Sequence, residues 1–188
     1  MAVTKIYIGG PTQAGKSTLA KHISWTTGLL AIDLDIDRWI ALARRRFNYK
    51  ARTPLQRWRT IQMLQTRRSS FVAEGIYLTP QSADRHLRNN ASVLTLFIGY
   101  PNVSVADKKH LIQQNGYRDS HYLKRLSPAA LDQRLQGGIR ISRLQQTACQ
   151  NLGIPYFDFS DVTQLRQSQE KVAFWVQRRM EYDKGPSR

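Results

Sequence analysis

A chain of 188 residues, 41% of them hydrophobic and four of them Trp, is long enough for one domain with a substantial core, and that composition excludes disorder. A surplus of 29 Lys and Arg over 13 Asp and Glu leaves a net charge of +16, a field that draws anions and suits an anionic second substrate or a nucleic-acid partner. The single cysteine, Cys149, excludes an internal disulfide, no apolar run is long enough to cross a bilayer, and the amino end lacks the apolar stretch of a signal peptide; a cytoplasmic protein with no membrane contact is expected.

In chain order, residues 4–9 are short, apolar and β-prone and predict a first strand, followed by a helix over 16–28 that Gly28 ends. Leu29, Leu30, Ala31 and Ile32 form an apolar run that predicts a strand buried on both faces, leading into Asp33, Asp35 and Asp37. Helical periods return over 38–47 and, opened by Pro54, over 54–68. A third strand over 70–73 ends at Glu74 and Gly75, and Pro80 opens a helix to residue 89. Residues 92–99 predict a fourth strand and 102–114 a helix that Gly116 ends. A basic, irregular stretch over 116–127 precedes Ser127-Pro128, the cap and first residue of a helix to 151 with a soft point at Gly137-Gly138. Residues 154–159 predict a fifth strand, and 162–182 a closing helix with Val172, Trp175, Val176 and Met180 on its inner face. Strands alternating with helices imply βαβ units and a parallel sheet covered on both faces, in a single domain over 1–188.

Between the first strand and the first helix stands Gly10-Pro11-Thr12-Gln13-Ala14-Gly15-Lys16-Ser17-Thr18, which fits the phosphate-binding pattern G-x-x-x-x-G-K-[ST] in its strand–loop–helix setting. Gly10 and Gly15 take backbone conformations closed to other residues. Successive N–H groups then form an anion nest, reinforced by the positive end of the helix dipole. Lys16 supplies charge for the β- and γ-phosphates of ATP, and Ser17 a hydroxyl for Mg²⁺.

In an open parallel sheet, ligands bind beyond the carboxyl ends of the strands, which draws attention to Asp33, Asp35, Asp37 and Glu74. Asp33 and Asp35 share parity in an extended chain and can point to one side. Beside MgATP such carboxylates hold the metal or orient an attacking hydroxyl, and Asp35 is the best candidate base. Asp37 can instead cap the helix opening at Arg38. Glu74 suits the metal or acceptor side, and Gly75 lets the backbone come close to a substrate. Arg38 and Arg57 are candidates to bind an anionic group on the acceptor. The stretch 116–135 reads as a lid whose Arg118 and Arg125 neutralise the transferring phosphoryl group while closure excludes water; Arg134, Arg140 and Arg143 follow it.

Together these residues resemble the small P-loop kinases, the group of adenylate, shikimate and gluconate kinases with 2-phosphoglycerate kinase-like and antibiotic-phosphorylating relatives. The likeness is strongest at Gly10-x-x-x-x-Gly15-Lys16-Ser17. It extends to Ile32-Asp33-Leu34-Asp35, similar to the D-x-D of shikimate-type kinases, and to Glu74-Gly75, similar to the E-G that ends the third strand in several members. The resemblance implies a three-layer α/β fold, a parallel sheet in order 2-3-1-4-5, a helical lid, and transfer of the γ-phosphate of MgATP to a small acceptor. It also implies Asp33 on the Mg²⁺ side and Asp35 at the acceptor hydroxyl. The shikimate-type triple glycine is missing; Glu74-Gly75-Ile76 stands in its place, so shikimate is not the expected acceptor.

The leading expectation is therefore an ATP-dependent phosphotransferase, monomer or homodimer, acting on a small anionic acceptor. A nucleotide or polynucleotide kinase is the alternative that the charge favours. An RNA- or protein-associated P-loop NTPase is a further one, for which no guanine-specifying N-K-x-D is present.

Overall fold

Five short strands follow the period-2 rule so that each feeds two cores at once. In Lys5–Gly9 (β1), Ile6 and Ile8 face one core and Tyr7 the other; in Val93–Gly99 (β4), Leu96 and Ile98 face the first and Phe97 the second. Phe71–Gly75 (β3) alternates likewise, with Val72 on one side and Phe71 and Ala73 on the other. With Leu30–Asp33 (β2) and Tyr156–Asp158 (β5), these strands form one parallel sheet in the order β2-β3-β1-β4-β5, as the resemblance implies. This computed structural model describes residues 3–35, 70–115 and 121–182. The helices expected over 38–47 and 54–68, and Asp37, Arg38, Arg57 and Arg118, lie outside the described residues.

Five α-helices flank the sheet among the described residues. Lys16–Thr27 (α1) and Leu165–Tyr182 (α5) cover the first core through Leu19, Ile23, Val172 and Val176. Pro80–Leu87 (α2) and Pro128–Leu152 (α4) cover the second through Ala83, Leu87 and Cys149. Val105–Gln114 (α3) follows β4. The predicted stops and starts have physical form. Thr79 and Ser82 make a reciprocal capping box ahead of Pro80, Ser127 caps α4 at the amide of Ala130, and Gly28 and Gly153 close helices in the left-handed region. Within the expected lid, residues 121–125 form a 3₁₀ turn leading into α4, and Leu123, Leu131 and Leu135 pack with Ile112 of α3.

Two expectations are corrected. The run 29–32 is buried only in part: Ala31 packs against the first core and Ile32 joins the second, but Leu30, where β2 begins, is 58% exposed. Gly137-Gly138 is not a soft point, because α4 runs unbroken through it. Gly138 is where the Tyr100 ring comes in; a Cβ there would lie 2.1 Å from its hydroxyl oxygen.

Candidate active site

The loop after β1 leaves the strand at Gly9 and enters α1 at Lys16. Gly10 and Gly15 have φ of 151° and 85°, and Gln13, a residue with a side chain, stands at 66°. Lys16 is buried and its ammonium donates to the Pro11 carbonyl at 3.0 Å, folding the side chain back along the loop.

Strand pairing delivers the acids. The β2–β3 register sets Asp33 opposite Glu74, and the β1–β3 register sets Glu74 opposite Ile8, two residues before Gly10. Beyond β2 the chain is pinned to β3 by the Leu34 amide on the Glu74 carbonyl at 2.8 Å. Asp33 Oδ1 then accepts the Asp35 amide at 2.8 Å, and the Asp35 carboxylate accepts the Ile76 amide through both oxygens at 3.2 and 3.0 Å. Shared strand parity is thus not what unites the two aspartates; a turn does. Gly75 serves that turn, since a Cβ there would meet Leu34 Cβ at 3.1 Å and Asp35 Oδ1 at 3.3 Å. The result is a cluster in which one carboxylate oxygen from each of Asp33, Asp35 and Glu74 lies within 4.8 Å of the others.

Glu74 is 3% exposed, accepts the Ser17 hydroxyl at 2.6 Å and lies 4.0 Å from the Lys16 ammonium. Burial outweighs mutual attraction for this pair. It pushes the Glu74 carboxyl up to about 7, against the opposing pull of Lys16 and the Ser17 hydrogen bond, and it lowers the Lys16 ammonium, which Glu74 supports. Because the Ser17 proton is committed to Glu74, the lone pairs of its oxygen are left as the acceptor end. All three donor groups here are carboxylate oxygens, the kind of ligand a hard cation such as Mg²⁺ takes.

Loop and acids open onto one cleft of about 810 Å³, lined by Thr12, Gln13 and Gly15–Thr18, the three carboxylates, Lys108 and Ile112 of α3, and Thr163 and Gln169 from β5 onward. A second cleft of about 820 Å³ adjoins it at Thr12, Gln13, Ile76 and Arg134, and is walled by Tyr77, Tyr100, Leu123 and Leu126. Arg125 is exposed on the 3₁₀ turn and lines neither cleft. Arg134, one of the basic residues following the lid, lines both and approaches the Thr12 hydroxyl at 3.5 Å. Arg143 is engaged elsewhere, on the Pro101 carbonyl at 2.8 Å.

Three contributors escape the sequence reading. Lys108 reaches the Gln13 carbonyl at 2.8 Å, Tyr100 the Thr12 carbonyl at 2.6 Å, and buried Gln169 sets its amide against Gly15. One signal was available: Val105, Lys108 and Ile112 are spaced as a helical stripe, so a lysine occupies a core-facing position.

No protein-family model matches the sequence, and neither does any curated protein. Solved structures do match in fold. Shikimate kinase from Bacteroides thetaiotaomicron is 16% identical with a TM-score of 0.58, over 94% of this chain and 99% of that one. Shikimate kinase from Acinetobacter baumannii in complex with shikimate is 16% identical with a TM-score of 0.53, over 94% of each chain. A gluconokinase from Sinorhizobium meliloti 1021 is 12% identical with a TM-score of 0.53, over 97% of each chain. The fold is that of the small P-loop kinases. Among the described residues, no helix is long and apolar enough to cross a membrane.

Proposed function

We propose that this chain is an ATP-dependent phosphotransferase that moves the γ-phosphate of MgATP to a hydroxyl or phosphate of a small, anionic acceptor. The observation that carries this reading is the meeting of Asp33, Asp35 and Glu74 beside Ser17 and Lys16, at the mouth of a glycine-flanked loop and a helix N-terminus. A loop of this kind alone serves any nucleotide-binding protein; an acidic cluster at the same cleft adds the means to direct a second oxygen at the phosphate.

Gly10–Thr18 holds the phosphates, and Lys16 spreads its charge over the β- and γ-oxygens. Ser17 and Asp33 would hold Mg²⁺, with Glu74 fixing the Ser17 hydroxyl through their hydrogen bond. When bound, the metal neutralises charge on the phosphate oxygens. Asp35, held by the Ile76 amide, takes the proton of the acceptor hydroxyl as its oxygen bonds to the γ-phosphorus. The bond from that phosphorus to the β-bridging oxygen breaks, and the electron pair leaves with ADP. Gly75, Arg38 and Arg57 shape the acceptor side, and Glu74, engaged by Ser17 and Lys16, serves the metal side. Arg134, which lines both clefts, opposes the transferring charge, and Arg118 and Arg125 of the 116–135 lid add theirs on closure. The excess of basic residues favours an acceptor that is itself anionic.

The test is a thermal-shift and phosphotransfer screen with MgATP and panels of nucleosides, nucleotides, sugar acids and aminoglycosides. A ligand that binds the folded state raises the melting temperature by mass action. The expected result is one acceptor class that is phosphorylated, with transfer abolished by Lys16→Ala. Full transfer by Lys16→Ala, or ATP hydrolysis that no acceptor accelerates but an RNA or protein partner does, would overturn the reading.

A further inference from the structure

Lys108 is 3% exposed on α3, yet among the described residues no carboxylate pairs with it. Burying an ammonium without a counter-charge is costly, and a methionine of similar length would fill the same space at no such cost. The site shows what the ammonium meets. It donates to the Gln13 carbonyl at 2.8 Å and sits 4.2 Å above the centroid of the Tyr100 ring. Tyr100 in turn donates its hydroxyl to the Thr12 carbonyl at 2.6 Å, and its own approach depends on the missing side chain of Gly138. Two consecutive carbonyls at the crown of the phosphate loop are therefore held from one side by one interlocked pair.

The residue that Lys108 holds is the strained one. Gln13 has φ of 66°, a conformation that a residue with a side chain keeps only when its surroundings impose it. Lys108 also lines the phosphate cleft, so its charge lies at the same hollow as that of Lys16.

Resting on the nucleotide-binding reading above, we propose that Lys108 and Tyr100 are positioning residues for the phosphate loop. The pair locks Thr12 and Gln13 into the conformation that receives a polyphosphate, and Lys108 adds a second buried positive charge to that hollow. The burial that pushes the Lys108 ammonium down to about 8 leaves it charged near neutrality, so the field is available where a nucleotide would bind.

The test compares wild type, Lys108→Met, Lys108→Arg, Tyr100→Phe and Lys16→Ala, by calorimetric titration with MgATP, MgADP and adenosine and by melting without ligand. Lys108→Met is expected to weaken MgATP about 10- to 100-fold, the scale of one hydrogen bond to a charged group, with no fall in ligand-free melting temperature and little change for adenosine. Lys108→Arg, which keeps the charge, should recover most of the loss; Tyr100→Phe should lose about threefold to tenfold. MgATP affinity within twofold of wild type in both Lys108→Met and Tyr100→Phe, while Lys16→Ala loses binding, overturns this inference alone. If Lys108→Met does not fold, unchanged MgATP affinity in Tyr100→Phe overturns it. Undiminished MgATP binding by Lys16→Ala would instead remove the reading on which it rests.

Discussion

The Ser17 hydroxyl donates a 2.6 Å hydrogen bond to Glu74 Oε1, joining the first turn of α1 to the end of β3 across 57 positions of sequence. That bond brings the end of an interior strand into the cleft beside the loop that opens α1. Glu74→Gln keeps an acceptor for Ser17 but removes the charge that faces Lys16 and balances a metal. The expected outcome is a 10- to 100-fold drop in phosphotransfer and in apparent Mg²⁺ affinity, the range found when groups orienting metal ligands are lost. Initial rates across a Mg²⁺ titration decide it; an unshifted Mg²⁺ midpoint would make Glu74 a purely structural residue.

Glu74 also predicts a stability profile for the ligand-free protein. Burial raises its carboxyl from the ordinary 4.5 to about 7, so the folded chain binds a proton that the unfolded chain has already released over that window. Where the folded state binds more protons, stability falls as pH rises, here from pH 4.5 to 7, by on the order of 3 kcal/mol for this group alone. Chemical denaturation at several pH values should show this decline in wild type and a flatter profile in Glu74→Gln. An identical slope in the two proteins would place the titration elsewhere.

Adjacent glycines in α4 should answer in opposite directions. A Cβ on Gly137 meets nothing within 4 Å, so Gly137→Ala gains helix propensity and is expected to stabilise by about 0.5–1 kcal/mol. A Cβ on Gly138 would stand 2.1 Å from the Tyr100 hydroxyl oxygen, so Gly138→Ala must displace the ring and is expected to cost about 1–3 kcal/mol. It should also loosen the Tyr100 bond to Thr12 and with it nucleotide affinity. Melting curves for the two variants suffice; equal shifts would mean that the ring moves aside freely.

That contrast marks where sequence legibility ends. Strand–helix alternation sufficed for a parallel sheet and the Gly10–Thr18 spacing for a glycine-flanked strand–loop–helix turn, because local period and turn chemistry determine both, whereas the strand order came from the family resemblance. Asp33, Asp35 and Glu74 were legible as strand-end acids. Their convergence depends on the pairing of β2 with β3, and the turn that unites the aspartates cannot be read from parity. Gly138 looked like a weak point because sequence shows a missing side chain and not the ring that fills the gap. The role of Lys108 could not be read either: its helical spacing marks it as core-facing, but its partner is the Gln13 backbone carbonyl 95 positions away, and a carbonyl leaves no mark in residue identity.

The proposed function divides the labour most sharply between the two aspartates. Asp35→Asn preserves shape and can still accept the Ile76 amide, but it cannot take a proton from an acceptor hydroxyl. Phosphotransfer should fall about 10²- to 10⁴-fold, the usual contribution of a general base, with MgATP affinity within about threefold of wild type. Asp33→Asn acts on the metal side, so its main effect should be on MgATP affinity and Mg²⁺ dependence, with the rate recovering at high Mg²⁺. Single-turnover transfer to the acceptor found in the screen, together with calorimetric MgATP titration, separates the two. Transfer by Asp35→Asn at close to the wild-type rate would remove it as the base; recovery of Asp35→Asn by added Mg²⁺ would assign it to the metal, and the base would then have to be sought in Asp33 or Glu74, the two carboxylates within 4.8 Å of it.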